Sequence, residues 1–178
     1  MRRKTTFAMG AALALAVMPA AASAQLLSFG VGGGPSTPLG DFADEAGTGF
    51  HVQGSLGLGL PLLPVGARAD VMYQQFPDEH SGNFRQVGGM ANATLGLPLP
   101  LIVLSPYAIG GVGMFNHTAP DEEHGDHTHE GEGGTAGAWN VGAGVRLGLP
   151  GISASLEARY LDAGHGRRSV PVTVGIRF

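Results

Sequence analysis

Between residues 117 and 130 the chain reads His117-Thr118-Ala119-Pro120-Asp121-Glu122-Glu123-His124-Gly125-Asp126-His127-Thr128-His129-Glu130. Imidazoles and carboxylates at this density can ligate Zn²⁺, Ni²⁺ or Cu²⁺, ions that accept nitrogen and oxygen donors readily. In an extended segment His127 and His129 point the same way, because side chains alternate with a period of two. The spacing fits no closed structural metal site, and Gly125, Gly131, Gly133 and Gly134 leave the segment loosely tethered. The expectation is weak binding through His124, His127 and His129, with His117 or Asp126 completing a set. The plainer alternative is a solvated acidic loop. No resident cofactor is expected.

Other candidate chemistry is sparse. Ser28, Ser36, Ser55 and Ser81 lie in no Gly-x-Ser-x-Gly elbow, so no nucleophile with a placed base can be nominated. The clusters Gly30-Val31-Gly32-Gly33-Gly34 and Gly110-Gly111-Val112-Gly113 lack the Lys-Ser/Thr of a phosphate loop. The chain is read as not an enzyme. All seven histidines (His51, His80, His117, His124, His127, His129, His165) are expected in loops or at their rim. With side-chain pKa values near ~6.5 there, they would make that face pH-responsive.

The elements that must carry these residues are strands. In 170–178, Val170, Val172, Val174, Ile176 and Phe178 alternate with Pro171, Thr173, Gly175 and Arg177, giving one apolar and one polar face. The same grammar predicts strands at about 26–34, 48–60, 64–76, 83–97, 101–115, 136–149, 152–162 and 168–178. Strand 101–115 is the weakest, since Leu101 to Leu104 is apolar on both faces and Pro106 cannot donate to a ladder. Connections at 61–64, 98–100 and 150–151 are tight and Pro-bearing. Those at 35–47, 77–82, 116–135 and 163–167 are polar and mostly longer. Their strict alternation predicts an all-β, eight-stranded antiparallel up-and-down barrel.

A water-soluble barrel would turn its apolar set inward. Two features oppose that reading here. The polar set is rich in Gly, Ser, Thr, Asn and Gln with opposed charges: Arg68, Asp70, Arg146, Glu157, Arg159 and Arg177. Such residues suit a narrow interior, where charges would pair and plug the bore. In addition Phe50, Tyr73, Phe76, Phe84, Phe115, Trp139 and Tyr160 gather where strands meet the longer connections, as a girdle at a membrane interface would. The apolar parity is therefore predicted to face lipid, making this a transmembrane barrel. Gly144, on the inward parity, is expected to tolerate serine.

The ends and the composition agree. Arg2, Arg3 and Lys4, the apolar stretch 7–17 and Ala22-Ser23-Ala24 before Gln25 predict a signal peptide over 1–24 and a single barrel domain over 25–178. Its removal takes three of ten basic residues against fourteen acidic ones, so the exported chain is acidic. That excludes a nucleic-acid partner, which needs a basic patch. Cysteine is absent, so no disulfide scaffold is used.

With Pro38-Leu39-Gly40-Asp41-Phe42 after the first strand, the strand–turn grammar and a terminal Phe178, the chain resembles the outer-membrane β-barrel family that includes small OmpA/OmpX-type barrels. The resemblance implies location in the bacterial outer membrane, a lipid bilayer as partner and a monomer. It also implies recognition by the barrel-assembly machinery through the strand ending in Phe178. It carries no catalytic motif. The expected role is structural or surface interaction through acidic, His-rich loops. A narrow porin-like channel and a loop-mediated divalent-metal binder are the alternatives.

Overall fold

The computed structural model describes residues 27–59, 64–78, 82–97, 104–118 and 134–178, together with two short backbone segments at 122–124 and 127–129. The predicted signal peptide, His80 and most of the 119–133 connection lie outside the described residues. The elements are β1 (Leu27–Leu39), α1 (Asp41–Glu45), β2 (Gly49–Gly59), β3 (Val65–Asp78), β4 (Gly82–Gly96), β5 (Leu104–Thr118), β6 (Glu122–His124), β7 (His127–His129), β8 (Gly134–Leu149), β9 (Ile152–Asp162) and β10 (Arg168–Arg177). Eight of them form a closed antiparallel barrel in the order β1-β10-β9-β8-β5-β4-β3-β2, and β6 pairs with β7 as a separate small hairpin.

Closure joins the first strand to the last. Phe29 and Phe178 exchange reciprocal backbone hydrogen bonds of 3.1 and 2.8 Å, and the ladder continues from Gly30↔Arg177 upward. No strand edge of the barrel is left to pair elsewhere. The ladder to β10 lapses between Gly33↔Val174 and Ser36↔Pro171, where Pro35 and Pro171 offer no N–H.

The predicted parity holds and settles which way the barrel faces. Val71, Val112 and Val174 are 65, 66 and 64% exposed, whereas Arg68, Asp70, Glu157 and Arg159 are 5% exposed or less. Apolar side chains clothe the outside and charges fill the inside, the reverse of a water-soluble barrel. A belt of exposed valine and leucine this continuous requires hydrocarbon around it.

Several boundaries and assignments differ from expectation. β1 runs on through Pro35 and Pro38 to Leu39, so the first long connection shrinks to the short helix α1 and its flanks. Phe76 and Phe115 belong to no girdle: both are fully buried inside the bore. Each shares parity with inward neighbours, Phe76 with Gln74 and Phe115 with His117, and parity outranks nearness to a rim. Phe84 is half-buried against Phe42, which α1 drops over the loop rim 5.0 Å from Phe76 and 5.8 Å from Phe84, ring centre to ring centre. The outward aromatics are Phe50 with Tyr73 and Trp139 with Tyr160, paired at 6.2 and 5.3 Å.

Inward glycines carry packing. Gly144 stands across the ladder from Tyr107, and a Cβ there would meet the Tyr107 ring at 2.7 Å. Gly88 does the same for Phe115 on the neighbouring pair. Glycine opposite an inward aromatic lets the ring lie flat over bare backbone in a narrow bore. The expected tolerance of serine at Gly144 is therefore corrected: the added atom displaces Tyr107.

Depth along one face provides a direct check. Val112→Arg, at the middle of the lipid face of β5, is expected to destabilise bilayer folding by about 2–4 kcal/mol, and Asn116→Arg on the same face near the loop rim by about 0–1 kcal/mol. Urea titrations of folding into vesicles measure both. Equal costs at the two depths would contradict the placement of this face in lipid.

Candidate functional site in the barrel interior

Two strands that never touch supply the charges at the centre of the bore. β3 presents Arg68 and Asp70 inward, two residues apart, and β9 presents Glu157 and Arg159 likewise. In the ring order β3 and β9 lie four strands apart in either direction, so they face each other across the barrel. Arg68 reaches over with both guanidinium nitrogens, Nη1 to Glu157 Oε2 and Nη2 to Oε1, each at 2.8 Å. It also contacts Asp70 through Nε at 3.0 Å. Arg159 mirrors it, with Nη1 2.9 Å from Asp70 and Nε 2.6 Å from Glu157. Each cation thus holds both anions.

Further hydrogen bonds to these groups come from other strands. The Tyr107 hydroxyl donates to Glu157 Oε2 at 2.7 Å, Asn92 Nδ2 to Asp70 at 2.9 Å, and Asn140 Nδ2 to Asn92 at 2.7 Å. Arg159 Nη2 donates to Gln53 at 3.2 Å. β2, β3, β4, β5, β8 and β9 all contribute, and the quartet carries two positive and two negative charges. Buried charge is tolerated only when paired and hydrogen-bonded, and both conditions are met. Such a network ties opposite walls of the barrel together. It offers no free acid or base for proton transfer.

Beyond the quartet towards the loop rim an apolar layer of Met72, Met90, Phe115, Ala138, Leu161 and Ala163 fills the bore. Beside it runs a second polar network that sequence reasoning missed. Ser36 Oγ lies 3.2 Å from His51 Nδ1, and His51 Nε2 lies 2.8 Å from Thr173 Oγ1. Gln74 Nε2 donates to Ser36 at 2.9 Å, and Gln86 Nε2 donates to Gln74 Oε1. A serine beside a histidine is a nucleophile–base pair by residue type. Here Ser36 is wholly buried, His51 is 1% exposed, and a threonine rather than a carboxylate orients the ring. The arrangement reads as structural. Its sequence signal was the inward parity of His51 with Gln53, Ser55 and Gly57.

Not every histidine near the loop rim is exposed there, because two at the loop-side ends of β2 and β5 turn inward. His51 and His117 are interior strand residues, 1% and 2% exposed, with His117 Nε2 2.9 Å from the Ala163 carbonyl oxygen. His165 is exposed in the β9–β10 connection, its ring 5.8 Å from that of His117. The side chains of His124, His127 and His129 lie outside the described residues. The backbone register pairs His124 with His127 and Glu122 with His129. Among the described residues no group of three or more His, Asp or Glu is placed to hold a metal.

Asp70→Asn keeps the shape of the quartet and removes one of its two negative charges, leaving Arg68 and Arg159 to share Glu157. The expected cost is about 3–5 kcal/mol of folding stability, the usual result of stripping one partner from a buried pair. Urea unfolding from vesicles measures it. A change under about 1 kcal/mol would mean the charges are hydrated rather than paired.

Comparison with known proteins agrees with the geometry. The barrel resembles Neisserial surface protein A (TM-score 0.63, 17% identity, 85% of this chain and 95% of that one). It also resembles Ail, the attachment invasion locus protein of Yersinia pestis (0.57, 15%, 86% and 99%). A third similar structure is the N-terminal barrel of Pseudomonas aeruginosa OprF (0.52, 16%, 85% and 96%). A search of curated protein sequences returns no match. The profile of the outer membrane protein β-barrel domain covers residues 7–178. The chain therefore belongs to the outer membrane protein β-barrel domain family and resides in the bacterial outer membrane.

Proposed function

We propose that this protein is a non-conducting, non-enzymatic barrel that anchors an acidic external rim for interaction with basic partners. The observation that carries this reading is the quartet: four paired charges from opposite walls cross the bore, with a packed apolar layer beyond them. An ion entering the bore would have to part Arg68 from Glu157. In such barrels short turns face the periplasm and longer loops face outward. All the carboxylates other than Asp70 and Glu157 stand in or beside those loops, and 119–133 alone holds Asp121, Glu122, Glu123, Asp126, Glu130 and Glu132 with no Lys or Arg. Binding residues gather on loops held by a rigid scaffold.

Ail has been solved in complex with the heparin analogue sucrose octasulfate, a polyanion. The charge on this chain supports the opposite preference. Planar-bilayer recording of the purified protein is the test of the closed bore, with no conductance steps expected. Replacing 119–133 with a short Gly-Ser turn should preserve the folded, heat-modifiable band. It should remove partners captured by cross-linking on intact cells. Stable ohmic steps would establish the narrow channel instead.

A second reading has its own support, from the hairpin register. His124↔His127 and Glu122↔His129 place three histidines and a glutamate at positions of one parity on adjacent strands. We infer weak divalent-metal binding at His124, His127 and His129, because a glycine-flanked loop must be ordered on binding. Affinity should fall as pH drops through about 6, where protons compete for imidazole nitrogen. Calorimetric titration with Zn²⁺ and Ni²⁺ checks this. Undiminished binding in the triple variant His124/His127/His129→Ala would contradict it.

A further inference from the structure

On the periplasmic side of the quartet the bore is not filled. A cavity of about 400 Å³ opens there, lined by Ser28, Tyr107, Arg146, Ser153 and Arg177, with Arg68 at its inner end. β8 and β10 flank β9, and the register sets Arg146 opposite Ser155 and Arg177 opposite Ser153. Two guanidiniums therefore stand on either side of a serine-bearing strand, both half-buried. Arg146 lies over the Tyr107 ring at 5.0 Å. That contact uses the flat face of the guanidinium and leaves its N–H edge free to donate.

Neither Arg146 nor Arg177 has an acidic partner among the described residues. The α-carboxylate of Phe178 stands at this rim as well, and it forms no ion pair with either arginine. Of the acidic residues in the barrel strands, Asp70 and Glu157 are held by Arg68 and Arg159, and Asp78 and Asp162 stand at the loop-side ends of β3 and β9. The connections at this rim, 60–63, 98–103 and 150–151, contain no Asp or Glu. Two positive charges thus share a concave pocket in which no carboxylate pairs with either of them, and a pocket of that kind attracts anions. Planar N–H forks beside hydroxyls match the oxygens of carboxylate and phosphate.

We propose that this vestibule is an oxyanion-binding site, taking a carboxylate or phosphate group from the periplasmic side through Arg146 and Arg177, with Ser28 and Ser153 as further donors. It goes beyond the role of the external loops and shares no residue with them. The quartet provides its blind end and leaves the two arginines to the ligand. The phosphate could be carried by a soluble periplasmic solute or by a lipid headgroup of the inner leaflet, and the two sources share this chemistry.

The test is NMR of the arginine Nε–H groups in the full protein purified from outer membranes into dodecyl maltoside, a detergent without phosphate or carboxylate. Inorganic phosphate and succinate are each titrated at constant ionic strength. The Arg146 and Arg177 signals should shift saturably, and exposed Arg85 at the loop rim should not. Arg146→Gln and, independently, Arg177→Gln should each weaken binding about tenfold while heat-modifiable migration stays unchanged. A parallel sample in phosphatidylglycerol nanodiscs without added phosphate separates the sources. Shifts already present there assign the group to lipid headgroups, and shifts appearing only on phosphate addition assign it to a soluble anion. Absence of saturable shifts with either anion, or equal shifts with chloride, would overturn the site.

Discussion

Hydrocarbon offers backbone N–H and C=O groups no partner, so a chain crossing it with strands must pair every one of them internally. From that constraint the rest of this molecule follows. Pairing demands a closed ring, and the Phe29–Phe178 exchange completes it. Eight strands make a bore about as wide as the side chains that fill it. Strand pleating then sends alternate residues inward whatever their chemistry, and the charged ones must find partners across the gap. Arg68, Asp70, Glu157 and Arg159 do so from opposite walls.

Charge is sorted along the barrel axis. The loop end holds most of the side-chain carboxylates, the middle holds a neutral quartet, and the opposite end holds Arg146 and Arg177, paired with no carboxylate among the described residues. Above the quartet the filling turns apolar at Met72, Met90, Phe115 and Leu161, where no charge needs an escape to water. The middle is filled and charge-balanced, and the two ends differ in the sign of their charge.

Much of this was legible in the sequence, for reasons that differ between elements. In β3, β8, β9 and β10 most inward positions are polar, small or charged and most outward ones apolar, with Met72, Phe76 and Leu161 as inward exceptions, so the period of two read through to the inside-out barrel. β5 was harder because Leu101 to Leu104 is apolar on both parities, which leaves the start of the strand without a signal. Phe76 and Phe115 stand near a rim, as does His51, but parity turns all three into the bore. The inward charges could be named from sequence, but their pairing could not. Arg68 and Glu157 are 89 residues apart, and which wall faces which depends on closure and stagger. The helix α1 spans only five residues, too few for a periodic signal, so the docking of Phe42 was invisible.

Charges from opposite walls pair directly across the bore. A double-mutant cycle on Arg68→Met and Glu157→Met, read as urea unfolding from lipid vesicles, tests that pairing without any assumption about function. Direct bidentate pairing predicts a coupling energy of about 2–5 kcal/mol, with the double variant recovering much of the stability lost by either single one. A coupling within about 0.5 kcal/mol of zero would mean that the two residues do not meet across the barrel.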